Sequence, residues 1–223
     1  MTRTPSRTRP VAVGALLAAC ALAGGLGTVL GAVPAHAGLT VPVNCALEGE
    51  DGLVLAYDDV TYVVEGVCGT VRITADDAVV TMPTATHLFV TGERTRVSAK
   101  SQGEVVVAGT DNHVDLTSAA SLLVSGAGSA VTSPGLVEHV RVTTSGASVA
   151  ADRVHELVVR GSGNAASARR GFTTRVIGDA NTLSHRRLDR LRVRGNGNSV
   201  EVTRTRPRMR VSGSGNVVAV PRR

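Results

Sequence analysis

The chain of 223 residues has no tryptophan, two tyrosines and two phenylalanines, so aromatic side chains make up 2% of it. That scarcity removes the usual stacking platforms for nucleobases and sugar rings. Lysine occurs once, at Lys100, against twenty-three arginines, a bias that GC-rich codon usage alone can produce. Cysteine occurs only at Cys20, Cys45 and Cys68, and nothing in that number or spacing suggests zinc or redox catalysis. Neither a G-x-S-x-G nucleophile elbow nor an H-E-x-x-H zinc motif is present, and the Gly-Asp nonapeptide of RTX calcium rolls is missing. A helical period of 3.6 is absent from residues 53–223, because glycine and β-branched residues recur there too densely for helix.

What is present is a repeat. Its cleanest copies are Val193-Arg-Gly-Asn-Gly-Asn-Ser-Val200 and Val211-Ser-Gly-Ser-Gly-Asn-Val-Val218. With the first glycine as origin, the register falls at Gly92, Gly109, Gly126, Thr144, Gly161, Gly178, Gly195 and Gly213, in steps of 17 or 18 residues. Backward projection reaches degenerate copies at Ala75 and Tyr57, about ten coils in all. Self-similarity at such a period marks a solenoid, whose units cannot bury an apolar face alone. The columns agree. Two before the glycine stand Ile73, Val90, Val107, Val124, Val142, Val159, Val176, Val193 and Val211; five after it stand Val80, Val97, Val114, Val131, Val149, Ala166, Leu183, Val200 and Val218. Apolar and polar residues alternate with period two around these positions, so each half-repeat reads as a short strand. Leu136, Val154 and Leu188 lie midway along the remaining segment and suggest a short third side.

These features predict an all-β protein, a parallel β-helix or β-solenoid of about ten coils, with right-handed winding as the default expectation. At about 4.8 Å per coil the rod is roughly 48 Å long. Glycine permits the positive φ of the bend, and Asn tolerates the left-handed region. Asn112, Asn164, Asn181, Asn198 and Asn216 share one column and are expected to form a ladder of amide hydrogen bonds.

Residues 1–37 read as a secretory signal peptide: Arg3, Arg7 and Arg9 precede an apolar stretch from Val11 to Val33, and Ala35-His36-Ala37 is an A-x-A cleavage site. Two alternatives stay open, lipidation at Cys20 within Leu17-Ala18-Ala19-Cys20 and retention of the stretch as an anchor. Residues 38–52 are expected to be an N-terminal cap segment and 53–223 the repeat domain. After cleavage no hydrophobic run long enough to span a membrane remains, and the location is secreted, extracellular or envelope-associated. In an exported chain Cys45 and Cys68 are expected to pair, stapling the N-terminal end of the solenoid.

The formal charge is +6, and near +3 once the leader's three arginines are removed. Residues 38–160 hold seven basic and fifteen acidic side chains, about −8, whereas residues 161–223 hold fourteen arginines and three acids, about +11. The rod is therefore an electrical dipole.

The repeat Val-x-Gly-x-Gly-Asn-x-Val, preceded by Thr61-Tyr-Val-Val-Glu-Gly-Val-Cys68-Gly-Thr-Val-Arg-Ile73, resembles an exported actinobacterial family known as domain of unknown function 3060. The resemblance covers roughly residues 43–220. It implies tandem V-x-G-x-x-N-x-V coils, a signal peptide or lipoprotein signal and an early cysteine pair, and no catalytic residues. This chain departs from the pattern at Ala78, Thr95, Ser129 and Ala147, which replace Asn, and at Ala75 and Thr144, which replace glycine.

Two surfaces are candidates for chemistry. Arg175, Arg192 and Arg210 stand three before the glycine in consecutive coils and face outward, with Arg160 and Arg194 one column over. Stacked like charges cost stability unless an anion answers them, so the partner expected is an anionic envelope polymer or lipid headgroup; the plain alternative is a solvated edge that deters strand aggregation. The second is acidic: Asp58, Asp59, Asp76 and Asp77 occupy equivalent bend positions, with Glu93 one coil on, and are candidate ligands for Ca2+, although repeated Asp at bends is also ordinary turn chemistry. The histidines beyond residue 37 (His87, His113, His139, His155, His185) are placed in different columns, and no coil has a loop long enough to build a cleft. The function these features point to is a monomeric, non-enzymatic secreted solenoid without cofactor, binding an anionic partner or serving structurally; nucleic acid is not expected. The alternative is end-to-end self-assembly, acidic end against basic end; a calcium module or a carbohydrate-active enzyme is less favoured.

Overall fold

The computed structural model describes residues 38–47 and 52–222. The signal peptide, Cys20 and the cleavage site lie outside the described residues, as do 48–51 of the cap segment and Arg223. Fifteen strands are found among the described residues. In chain order they are β1 (Thr40–Asn44), β2 (Leu53–Leu55), β3 (Thr61–Glu65), β4 (Val67–Ile73), β5 (Val79–Met82), β6 (Thr84–Val90), β7 (Arg96–Val107), β8 (His113–Val124), β9 (Ala130–Val142), β10 (Ser148–Arg160), β11 (Ala165–Ile177), β12 (Thr182–Arg194), β13 (Ser199–Val202), β14 (Arg208–Ser212) and β15 (Val217–Ala219). They pair only in parallel, each with the strand one coil away, and form a β-solenoid of about ten coils. The first rung is β1, which pairs with β3, so Thr40–Asn44 within the expected cap segment already belongs to the ladder.

The 17-residue step is the pairing register: Val97 opposes Val114, Leu183 opposes Val200, and Thr174 opposes Leu191. The extra residue of the step from Gly126 to Thr144 falls between Thr132 and Val137, beside Pro134, because Asp115 opposes Thr132 at 17 and Ala119 opposes Val137 at 18. The last long step falls beside Pro207, since His185 opposes Val202 and Arg190 opposes Arg208. Proline has no N–H to give a ladder, so it sits where the register slips.

Alternation of buried and exposed residues breaks twice per coil, where two neighbours both face out. In β12 these pairs are Arg186-Arg187 and Asp189-Arg190, with Leu183, His185, Leu188, Leu191 and Val193 pointing inward. The pairs are corners, and between them lies the short third side. Its inward column runs through Cys68, Ala85, Gln102, Ala119, Val137, Val154, Gly171 and Leu188. Val137, which is fully buried, therefore fills the place expected for Leu136; Leu136 is carried outward, in register with Arg153, by the extra residue of its coil. The core is mainly aliphatic, with Leu55, Ile73, Leu88, Leu116, Leu122 and Leu183 almost wholly enclosed, each worth about 2–3 kcal/mol of transfer free energy. Cys45 and Cys68 are disulfide-bonded and tie the N-terminal turn to the second coil.

The two glycines of the bend have different tasks. A Cβ on Gly126 would fall on the carbonyl oxygen of Gly109 in the preceding coil, so glycine stands there because backbone meets backbone; in the later coils Gly161, Gly178, Gly195 and Gly213 of this column also hold a positive φ. The second glycine, as at Gly197 (φ +63°), has open space around it and is needed for its dihedral; Asp59, Asp77, Arg94, Asp111 and Ala180 adopt the same left-handed conformation in other coils. The asparagines of the ladder column are not left-handed. They are set into the bend, and their amides close it from inside.

Asn164, Asn181, Asn198 and Asn216 form a continuous ladder: each Nδ2 of the first three donates to the Oδ1 of the next at 3.0–3.1 Å, and each backbone N–H donates to the same oxygen. Every Nδ2 also reaches the carbonyl of the glycine-column residue one coil back, for example Asn181 to Gly161 at 2.9 Å. Asn112 stands in the same column but outside this ladder, because Ser129 and Ala147 intervene. It donates to the Gly92 carbonyl at 2.7 Å, and the hydroxyls of Thr95 and Ser129 do the same work for their own coils.

One core side chain is an imidazole. His185 is fully buried, with Nε2 3.3 Å from the Thr174 hydroxyl and no hydrogen-bond partner for Nδ1. Gly171 makes room for it, since a Cβ there would press on the imidazole. Burial lowers its pKa to about 4.

Gly126→Ala is expected to destabilise the fold by about 3 kcal/mol or more, whereas Gly197→Asn costs within about 1 kcal/mol; urea unfolding followed by circular dichroism measures both, and equal losses would contradict the division of tasks. For His185 the unfolded chain binds its proton first as pH falls, so the stability present above pH ~6.5 declines toward pH ~4 by about 3 kcal/mol. Unfolding at pH ~7 and ~4.5 should show that decline in the wild type and not in His185→Leu; parallel declines would assign it to other groups.

Candidate anion-binding surface

Arginine reaches the surface of this protein by the same register that builds its core. Arg175, Arg192 and Arg210 oppose one another directly in β11, β12 and β14. Arg194 stands in the neighbouring outward column, opposite Ile177. Arg160 occupies that column one coil before Ile177, so Ile177 separates the two arginines and Arg160 lies apart from the group. Two further residues belong to the group: Arg190 and Arg208 are paired one column to the other side. Together, Arg175, Arg190, Arg192, Arg208 and Arg210 line a groove of about 390 Å3 floored by Thr174, Leu191 and Met209. A second depression of about 200 Å3 continues it past Arg175, Arg192 and Arg194. Arg190 is held over the ring of Phe172 at 5.4 Å, and that ring stacks on His155 at 5.0 Å.

A denser group sits at the corner. Arg153, Arg170 and Arg187 are in register, and Arg169 and Arg186 precede the latter two. Arg204 extends the group, its N–H donating to the Arg186 carbonyl one coil back. Arg169, Arg170, Arg186 and Arg187 enclose a cleft of about 80 Å3. The charge of Arg204 above all, then loss of solvation and the charges of Arg169, Arg187 and Arg170, push the Arg186 guanidinium below its ordinary pKa. This corner is readable as two Arg-Arg pairs 17 residues apart, at 169–170 and 186–187; counting from the glycine origin directs attention to the other side of the coil.

Acids do not balance these charges. Asp152 pairs with Arg169 and Arg153, and Arg94 with Asp77 and Glu93; His87, His113 and His139 approach Glu104, Asp115 and Glu156. Among the described residues, no arginine beyond Arg169 has a carboxylate within ion-pair distance.

The acidic bend positions are otherwise engaged. Asp58 accepts the N–H of Asp76 at 2.7 Å and Asp76 accepts that of Glu93 at 2.8 Å. Asp77 is held by two hydrogen bonds from Arg94, both 2.8 Å, whose guanidinium keeps its carboxyl below the usual carboxylate range. Asp59 is the left-handed residue of its bend. The same acceptor role passes to Ser145, Ser162, Asp179 and Asn196 in later coils. Asp58, Asp76 and Asp77 thus act as acceptors within the bends, Asp59 serves the turn itself, and among the described residues no three His, Cys, Asp or Glu side chains converge as a metal site would require. The histidines are less scattered than their sequence positions suggest. His87 and His139 share a column through Glu104 and Ser121, and His139 meets His155 edge to face at 6.3 Å.

No protein-family model matches the chain, and neither a curated protein nor a solved structure matches it.

Neutralising Arg186 relieves repulsion from four arginines, so Arg186→Gln should raise the melting temperature at low ionic strength, with the gain fading near ~0.5 M NaCl as the charges are screened. A gain that ignores salt would show that packing, not charge, was relieved.

Proposed function

We propose that the protein is a secreted, non-enzymatic solenoid of the cell envelope that holds an anionic polymer or lipid headgroups on the arginine surface of its C-terminal third. The carrying observation is that the arginines after Arg169, stacked in register, have no carboxylate partners among the described residues. Stacked guanidinium groups repel, and a chain of phosphates or carboxylates running along the rod would supply the missing charges in the same repeat. Arginine suits this role because its planar fork meets phosphate and carboxylate oxygens in pairs. The disulfide accords with an oxidising compartment. Exposed Met209, Val211 and Val217 in the last described strands support end-to-end assembly as the second reading.

The test is binding to isolated poly(glycerol phosphate) wall polymer and to phosphatidylglycerol vesicles across NaCl concentrations, the two arms distinguishing polymer from headgroup. Affinity should fall steeply with salt, and Arg175→Ser, Arg192→Ser and Arg210→Ser together should lower the slope of log K against log[NaCl] by about 2–3. Absence of binding at low salt, or an unchanged slope, would overturn the proposal. Sedimentation velocity without polymer covers the second reading, which requires size to grow with protein concentration.

A further inference from the structure

We propose that the corner cleft enclosed by Arg169, Arg170, Arg186 and Arg187 is a discrete site for a dianionic phosphate monoester group, separate from the groove of Arg175, Arg192 and Arg210. It goes beyond the polymer-binding reading, because it concerns a single group bound at one place rather than charge spread along the rod.

The cleft is small, about 80 Å3, and all four lining residues are arginines. They come from two coils: β11 supplies Arg169 and Arg170, β12 supplies Arg186 and Arg187, and the pairing of Arg170 with Arg187 sets them one rung apart. Each pair straddles the break in alternation, so both members face outward where one of two would normally be buried. Arg169 alone is anchored, its guanidinium donating to Asp152 at 3.0 Å. That contact fixes one wall and leaves the other three guanidinium groups without a carboxylate among the described residues. With Arg153 beside Asp152 on the coil before and Arg204 on the coil after, six arginines gather at this corner over four consecutive coils, and Asp152 is the carboxylate that pairs among them. The excess is met better by a dianion than by a monoanion, and a phosphate monoester carries about −1.5 to −2 charges near neutral pH, with three oxygens to accept from several forks at once. Arginine forks give bidentate, charge-assisted hydrogen bonds to such oxygens. A chain of phosphodiesters has one charge per phosphate and suits the longer groove; a terminal monoester suits the small corner cleft.

Phenyl phosphate is the probe, titrated calorimetrically into the protein at about pH 7.5 and about pH 5. One molecule should bind per chain, with affinity falling at the lower pH as the ester, whose second pKa is near ~6, becomes a monoanion. Arg186→Ser with Arg187→Ser should weaken binding at least about tenfold, while Arg175→Ser with Arg192→Ser and Arg210→Ser should leave it unchanged. Phosphatidic acid vesicles add the source: pelleting lost with Arg186 and Arg187 assigns a lipid headgroup, and phenyl phosphate binding without pelleting assigns a soluble ester. The inference is overturned by no saturable binding, by several equivalent molecules per chain, or by equal losses in both sets of variants, which is diffuse attraction to a basic end. The polymer-binding reading stands or falls separately, on the salt slope of the Arg175, Arg192 and Arg210 variants.

Discussion

The backbone ladder between coils sets like against like. Because paired residues from β2 onward stand 17 or 18 positions apart in parallel strands, any property of a repeat position is stacked upon itself at about 4.8 Å. For valine and leucine this is favourable, since identical inward side chains pack as a continuous column. At Gly126 it calls for glycine, since the Gly109 carbonyl occupies the space where a Cβ would lie. For charge it is costly, and the molecule meets that cost differently at its two ends.

At the acidic end the cost is absorbed locally. Asp58 and Asp76 turn each carboxylate toward the N–H of the next coil, and Asp77 takes the guanidinium of Arg94 across one coil. Buried polar groups follow the same logic: Asn164, Asn181 and Asn198 donate both to a neighbouring amide and to a backbone carbonyl, so stacking satisfies them. A buried amide left unpaired would cost about 1–3 kcal/mol. At the basic end no comparable arrangement is found among the described residues for Arg175, Arg192 and Arg210 or for Arg170, Arg186 and Arg187. Their repulsion is left in place along the stacked coils.

The two arginine surfaces also differ in kind. One is a long groove on a flat sheet face, where alternation sends every second side chain outward. The other sits on a corner, where two neighbours face out together and four guanidinium groups can close around a small volume. Phe172, stacked on His155, holds Arg190 by its flat face, so two of the chain's scarce ring side chains are used to position charge.

The solenoid, its period, the glycine and asparagine columns and the cysteine pair can all be read from sequence, because they depend on local alternation and on a strict repeat. So can Arg175, Arg192 and Arg210, whose spacing from the glycine makes them outward by parity. Parity fails at the corners. Which of Leu136 and Val137 is buried depends on where the extra residue of an 18-residue coil is absorbed, and the outward doublets Arg169-Arg170 and Arg186-Arg187 obey no alternation. The bend acids look like ligands because sequence places them near each other, but backbone N–H groups of the next coil reach the Asp58 and Asp76 oxygens first. Sequence by itself determined what stacks on what; only the tertiary structure decided which way each corner residue turns and which neighbour its charge meets, since those depend on how the backbone bends between strands.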